Sequence, residues 1–241
     1  MSGEKAKGKG AVSAGGAGIA KPQGRRRDAE RTKATILATA TREFSQHGFS
    51  GARTETIASK AQCNIRLIYH HFKSKQGLYI AVIEAAYADI RRKEADLQFN
   101  LSDPASALEK LLVFTLGYFE ENTHFEGLLQ AENMIQGRFV RRSKRVPESA
   151  ALLKSTLSAI IKAGERSGAF RRKLDPIQLY VTITALSRFH VANAYSLSAL
   201  LGEDLRSPRW RARWRSHAVS LLRAYVQGDA APPNPARKSG D

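Results

Sequence analysis

Apolar residues recur at intervals of three and four along most of this chain, which predicts helices. After Arg31, the positions Ile36, Leu37, Ala40 and Phe44 mark one helix face, and Gly48 stands where a helix stops. A short helix follows over 54–61, with Ile57 and Ala58 as its apolar face. Asn64 is placed to cap a third helix by accepting a bond from backbone N–H groups ahead of it; Ile68 and Phe72 form that helix's inner face. Ser74 caps a longer helix with Leu78, Val82, Ala86 and Ile90 along one side. Further helices are predicted near 104–122, 124–136 and 147–168, the last ending by Gly168. Asp175 and Pro176 then supply an N-cap and a first-turn proline. The helix after them reads as continuous to about Leu201 and is apolar nearly all round. A last helix spans about 209–227. No strand pattern and no internal repeat occurs, so the expected class is all-α.

Composition sharpens this reading. At 42% hydrophobic but only 8% aromatic over 241 residues, the chain can bury a large aliphatic core. Residues 1–27 hold no large apolar side chain beyond Ile19, and cannot bury enough surface to offset their ordering entropy. They are expected to form a disordered basic tail ending in Arg25, Arg26 and Arg27; residues 229–241 read as a second disordered tail. The formal net charge is +17 and its density is greatest in the first third. Such an excess points to a polyanion, nucleic acid first and an anionic membrane surface second.

Other chemistry is sparse. A single cysteine, Cys63, rules out an intramolecular disulfide framework and a thiolate zinc site. A thiol sensor there would lack a resolving cysteine, so Cys63 reads as a small buried hydrophobe. The six histidines show no ligand spacing, and no phosphate loop, dinucleotide fingerprint or nucleophile elbow occurs. No metal, cofactor or catalytic activity is therefore expected. No run of about 18 apolar residues exists, and the Gly-rich stretch after Lys9 is a poor signal core. A cytoplasmic, nucleoid-associated protein without a membrane partner is expected.

Three short helices joined by tight turns, the middle one brief, suggest a helix-turn-helix. The segment ILATATREFSQHGFSGARTETIASKAQCNIRLIYHHFKSKQGLY resembles, without a gap, the DNA-binding domain of the TetR family of bacterial regulators. Ile36, Phe44, Gly48, Phe49, Ile57, Ala61, Ile68, Tyr69, His71, Phe72, Ser74 and Lys75 are among the matching positions. A second resemblance, over ENTHFEGLLQAENMIQGRF and GAFRRKLDPIQLYVTITALSRFHVANAYSLSALLG, is to the C-terminal domain of that family's pyrimidine-utilisation regulator branch. Together they imply a DNA-binding domain at 28–75 and a helical ligand-binding and dimerisation domain at 76–228. They imply a homodimer on operator DNA and a small-molecule effector of unknown identity.

Candidate DNA contacts follow. On the third helix, Ile65, Arg66, Leu67, Tyr69 and Lys73 lie away from the inner face, and a helix fits the major groove. Arg66 can grip guanine O6 and N7; a phosphate contact or a solvated charge is the other reading. Ile65 and Leu67 can meet thymine methyls or pack within the motif. The resemblance places Tyr69 on the backbone or a base edge, and His71 and Lys75 on phosphates. Thr54 and Arg53 can meet a phosphate at the start of the second helix, and Asn64 opens the reading helix. Two positions depart from the family pattern. Gln62 stands where the turn usually has Gly, so a left-handed backbone is expected there at some cost. Arg66 replaces what is often a small residue, which changes the operator code.

Effector candidates are polar residues inside apolar helix faces: Asn133, Arg188, His190 and Asn193, with Phe114, Tyr118 and Tyr180 as walls. An intramolecular or dimer-interface bond is the alternative for each. The last two helices are expected to form a four-helix interface with a second copy. The expected function is a sequence-specific transcriptional regulator, a repressor released by a small molecule. The alternatives are an architectural DNA binder, or a basic small-molecule-binding protein or enzyme.

Overall fold

The computed structural model describes the backbone of residues 23–228 and the side chains of residues 27–228. The tails expected at 1–27 and 229–241 lie outside the described residues, except that helical backbone already begins at Gln23. Among the described residues there are ten α-helices and no strand. Helix α1 is Gln23–Gly51, and its regular part ends at Gly48, whose φ of 64° and ψ of −175° no longer fit a helix. That is the residue at which the pattern predicted the stop, because glycine takes positive φ without a Cβ clash.

Helices α2 (Thr54–Lys60), α3 (Ile65–Phe72) and α4 (Lys75–Ala95) follow. Asn64 caps α3, its side-chain oxygen accepting from Arg66 N at 2.8 Å, and Ser74 Oγ caps α4 by accepting from Gly77 N at 3.0 Å. Helix α5 is Pro104–Glu121 and α6 is Thr123–Met134. A single 3-10 turn, Val140–Arg142, which periodicity did not reveal, separates α6 from α7 (Arg145–Ser167). Helix α8 is Pro176–Ala192, α9 is Ala194–Leu201 and α10 is Pro208–Gln227.

The helix expected to run unbroken from Pro176 to Leu201 is therefore two. Asn193 leaves helical geometry, and its Nδ2 donates to the Phe189 carbonyl at 2.9 Å. Asparagine bonding back to its own helix competes with the regular ladder, which ends α8 there.

Two main cores form. The first gathers Ile36, Ala40 and Phe44 of α1, Ile57 of α2, Ile68 and Phe72 of α3, and Leu78, Tyr79 and Val82 of α4. It extends to Leu128 of α6, Phe139 and Val146, and so crosses the boundary expected at 75/76. Close approach makes this possible: a Cβ on Gly127 would lie 2.5 Å from the Ser45 carbonyl oxygen, so only glycine lets α6 lie against α1. The second core joins α5, α7, α8 and α10 through residues such as Leu111, Leu157, Ile160, Ile183 and Leu222. Each such aliphatic side chain contributes about 1.5–3 kcal/mol on burial.

Candidate nucleic-acid interface

Helix α3 has two unlike sides. Ile68 and Phe72 are pinned in the first core, and Ile65 packs half-buried against it. Arg66, Leu67 and Tyr69 face solvent, and leaving Leu67 and Tyr69 39% and 42% exposed has no packing reason. Around them stand exposed Arg53 and Lys73 and half-buried Lys75. Among the described residues none of Arg53, Arg66, Lys73 and Lys75 is in an ion pair. Cationic side chains that no carboxylate pairs with repel one another until a polyanion neutralises them.

Local geometry fixes this face. Gln62 adopts a φ of 50° in the turn between α2 and α3, the left-handed backbone expected there. Lys73, with φ 68°, ends α3 the same way, and its Nζ donates to the His70 carbonyl at 3.2 Å. Lys75 Nζ donates to the Ser50 carbonyl at 3.4 Å and lies 5.0 Å above the Phe49 ring. The start of α4 is thereby tied to the end of α1, with a cation beside unsatisfied helix N–H groups that favour an anion. Lys60 Nζ donates to buried Glu43 at 2.9 Å, bracing α2 on α1, and this bond holds the Glu43 carboxyl below its ordinary range.

Thr54 is buried rather than open, its hydroxyl 3.3 Å from Tyr69 Oη and 3.4 Å from Glu55. It therefore orients Tyr69 more directly than it meets solvent. His71 is half-buried; burial first, then the neighbouring His70 and Lys33, lower its pKa, so at neutral pH it offers a neutral ring. Asn64 is occupied as the α3 cap. Cys63 is half-buried in the turn, and burial pushes its thiol pKa up, away from the reactive thiolate. Exposed Arg31 and Lys33 of α1 extend the basic rim, and nothing in the spacing of the sequence singles them out.

The seven residues expected to enclose an effector do not converge. Tyr180, Arg188 and Asn193 line an open groove on the outer side of α8. Arg188 is bound by Glu126 through Nε at 2.6 Å and Nη2 at 2.7 Å. His190 Nε2 lies 3.4 Å from Glu120, with its ring against Trp210 and Trp214. Tyr118 is buried and donates to Asp89 at 3.1 Å, with half-buried Phe114 beside it. Asn133 is exposed and donates to the Leu129 carbonyl of its own helix.

A cavity of about 350 Å³ opens elsewhere, between the end of α4, α5 and α7. Arg91, Glu94, Ala95, Gln98, Phe99, Leu111, Leu152, Leu153 and Thr156 line it, none of them among those seven. Arg91 Nη1 lies 2.6 Å from Glu94 Oε2 but out of hydrogen-bond alignment, and Glu94 Oε1 has no partner among the described residues. Burial raises the Glu94 carboxyl to about 7, against the opposing pull of Arg91. In sequence this pair looks like a solvated contact between residues three apart.

Known proteins resemble the chain along most of its length. Residues 36–82 match the family described as bacterial regulatory proteins, tetR family, and residues 104–222 match the tetracyclin repressor-like C-terminal domain. The HTH-type transcriptional repressor NicS of Pseudomonas putida is 36% identical over 82% of this chain and 93% of its own length. The repressor SCO4008 of Streptomyces coelicolor is 42% identical over 73% of this chain and 86% of its own. RutR of Escherichia coli, at 28% over 78% of this chain and 88% of its own, supports the branch resemblance of the C-terminal half. In fold, the chain is similar to the regulator FadR of Bacillus subtilis, solved with stearoyl-CoA, at a TM-score of 0.60 and 18% identity, covering 80% and 99% of the two chains.

Proposed function

The chain belongs to the TetR family of bacterial transcriptional regulators, and we propose that it is a sequence-specific repressor released from its operator by a small molecule. The observation that supports this most is the outer side of α3. Arg66, Leu67 and Tyr69 project from a helix whose other side is locked in the core, with free cations around them. Arg66 is the residue for guanine; Leu67 and Tyr69 meet thymine methyls, base edges or sugar; Arg53, Lys73 and Lys75 hold phosphates.

The acting species in this reading is a homodimer. Helix α8 leaves Ile177, Val181 and Phe189 about 60% exposed, the last two along an apolar groove, and α10 adds Leu221. A second copy of the same helices would cover these residues and set two α3 helices one DNA turn, about 34–36 Å, apart. The effector belongs in the cavity beside Arg91 and Glu94. Its walls suit a small, mainly apolar molecule with an acceptor for Arg91 and a donor for Glu94.

Helix α4 links the two sites, because Lys75 opens it and Arg91 to Ala95 close it, about 25–30 Å away. An effector that favours a different tilt of α4 changes the spacing of the reading helices. Operator affinity then falls by the ratio of the effector's affinities for the two states. The contact of α6 with α1 at Gly127 is a second route between the halves.

The test is a titration of the protein against duplex DNA from upstream of its own gene, with unrelated duplex of equal length, at two salt concentrations. The reading expects a preference above ~10³ for the first. Equal, strongly salt-sensitive binding to both would replace it with an architectural binder.

A further inference from the structure

We infer that the segment between α6 and α7 is a second DNA-backbone contact, laid beside the helix-turn-helix and independent of base sequence. The inference rests on the DNA-binding reading above and extends its footprint to a part of the chain outside the motif. Arg138, Arg141, Arg142, Lys144 and Arg145 fall within eight residues, and all five are exposed. Among the described residues only Arg145 has an acidic partner, Glu84 at 3.5 Å, and its side chain is 80% exposed.

A charge run is ordinarily a solvated surface, but this one is held rigidly. Gln136 and Gly137, both with positive φ, turn the chain sharply out of α6. Buried Glu132 accepts the backbone N–H groups of Phe139 at 3.1 Å and Val140 at 3.0 Å. Ser143 donates to Glu84 at 2.7 Å and accepts from Val146 N at 3.2 Å. Phe139 is 1% exposed, with its ring 4.4 Å from Phe49 and 5.0 Å from Tyr79.

Phe139 also sets the location. The Phe49 ring that it packs on is the one beneath Lys75, at the start of α4. Arg138 and Arg142 lie 5.4 and 5.7 Å from the Phe139 ring itself. One pair of packed rings thus gathers Lys75, Arg138 and Arg142, and two of these three cations come from outside the motif. Among occupants, a polyanion running past the start of α4 satisfies them all, and duplex DNA held by α3 does so. The contact is to phosphates, since no base-reading element accompanies it.

The test uses the full chain with the upstream duplex and the unrelated duplex, over a series of salt concentrations. The variant Arg138→Gln/Arg141→Gln/Arg142→Gln should weaken binding to both duplexes by a similar factor of at least tenfold and leave their ratio unchanged. The slope of log affinity against log salt should become shallower by about 0.9 for each phosphate no longer neutralised, and by at least about 2 per dimer. A control, Lys154→Gln/Lys162→Gln/Arg166→Gln, removes equal charge from the exposed side of α7 farther along that helix and should change affinity by less than about threefold. Thermal unfolding should be unchanged in both, because every altered side chain is exposed. A loop variant that matches the control overturns the inference. If it does so while Lys75→Gln still weakens binding, the inference alone falls; if the unaltered chain binds neither duplex, the DNA-binding reading falls with it.

Discussion

The two halves of this molecule treat buried polar atoms differently. In the first core, buried Glu43 is paired with Lys60 and buried Thr54 with Tyr69. The buried side-chain atoms without a hydrogen-bond partner, among the described residues, lie mostly in the second half of the fold: on Arg91, Glu94, Glu120, Arg172, Thr184, Ser187, His190 and Arg215, while Tyr79 Oη and Glu132 Oε1, at the first core, approach each other. An unpaired buried polar group costs about 1–3 kcal/mol, so a protein retains one where something else completes it. The N-terminal half is finished inside and displays its chemistry outside. The C-terminal half keeps more unpaired atoms inside, which is where the proposed effector and second copy would act.

The comparison can be broken at its most rigid point. Phe44 is fully buried and packs edge-on to Tyr79 at 4.8 Å. Phe44→Ala should destabilise the fold by about 3–5 kcal/mol, measured by denaturant unfolding. A loss under about 1 kcal/mol, the scale of an ordinary surface change, would mean that the first core is not a closed reader.

The next effect belongs to the C-terminal half. The Glu94 carboxyl is raised from 4.5 to about 7 in the folded chain, so the folded state binds its proton more tightly than the unfolded state does. Its contribution to stability is full below about pH 4.5 and is lost as pH rises to about 7. The loss is on the order of 3 kcal/mol. Glu94→Gln should flatten that part of the stability profile, read from unfolding midpoints between about pH 4.5 and pH 8. An unchanged profile would show that Glu94 is not the group responsible.

Arg66→Ala comes third. It should cost about 1–3 kcal/mol of discrimination between upstream and unrelated DNA and leave the fold intact, because the side chain is exposed. If both duplexes weaken equally, Arg66 is a phosphate ligand. The smallest effect is expected of Cys63→Ser. DNA affinity should change by less than about threefold, and mild oxidant should leave the unaltered chain's binding unchanged, since burial keeps the thiol protonated.

What the sequence disclosed, and what it hid, follows from the range of the forces involved. The stop at Gly48, the caps at Asn64, Ser74 and Asp175, and the left-handed Gln62 depend on neighbours a few residues away, and each is legible from such neighbours. The outer side of α3 follows from helical period alone once Ile68 and Phe72 are assigned inward. The break at Asn193 was hidden because no glycine or proline marks it and the run around it is apolar. The cavity was hidden for a deeper reason. Polar residues in apolar runs read as awaiting a ligand, yet Arg188 is satisfied by Glu126, and Asn133 and Asn193 by carbonyls four residues back. The pair that lines the cavity beside α5 and α7, Arg91 and Glu94, is enclosed by helices distant in sequence, with Tyr180 of α8 over Arg91. That burial is a long-range fact that spacing does not encode.

The measurement that bears most directly on the account is a hydroxyl-radical footprint of the full chain on DNA from upstream of its own gene. Two protected half-sites with centres one helical turn apart, about 10–10.5 base pairs, related by a two-fold axis, are the predicted result. Diffuse protection along the whole duplex, with no defined edges or symmetry, would contradict the claim that α3 reads sequence in a dimer.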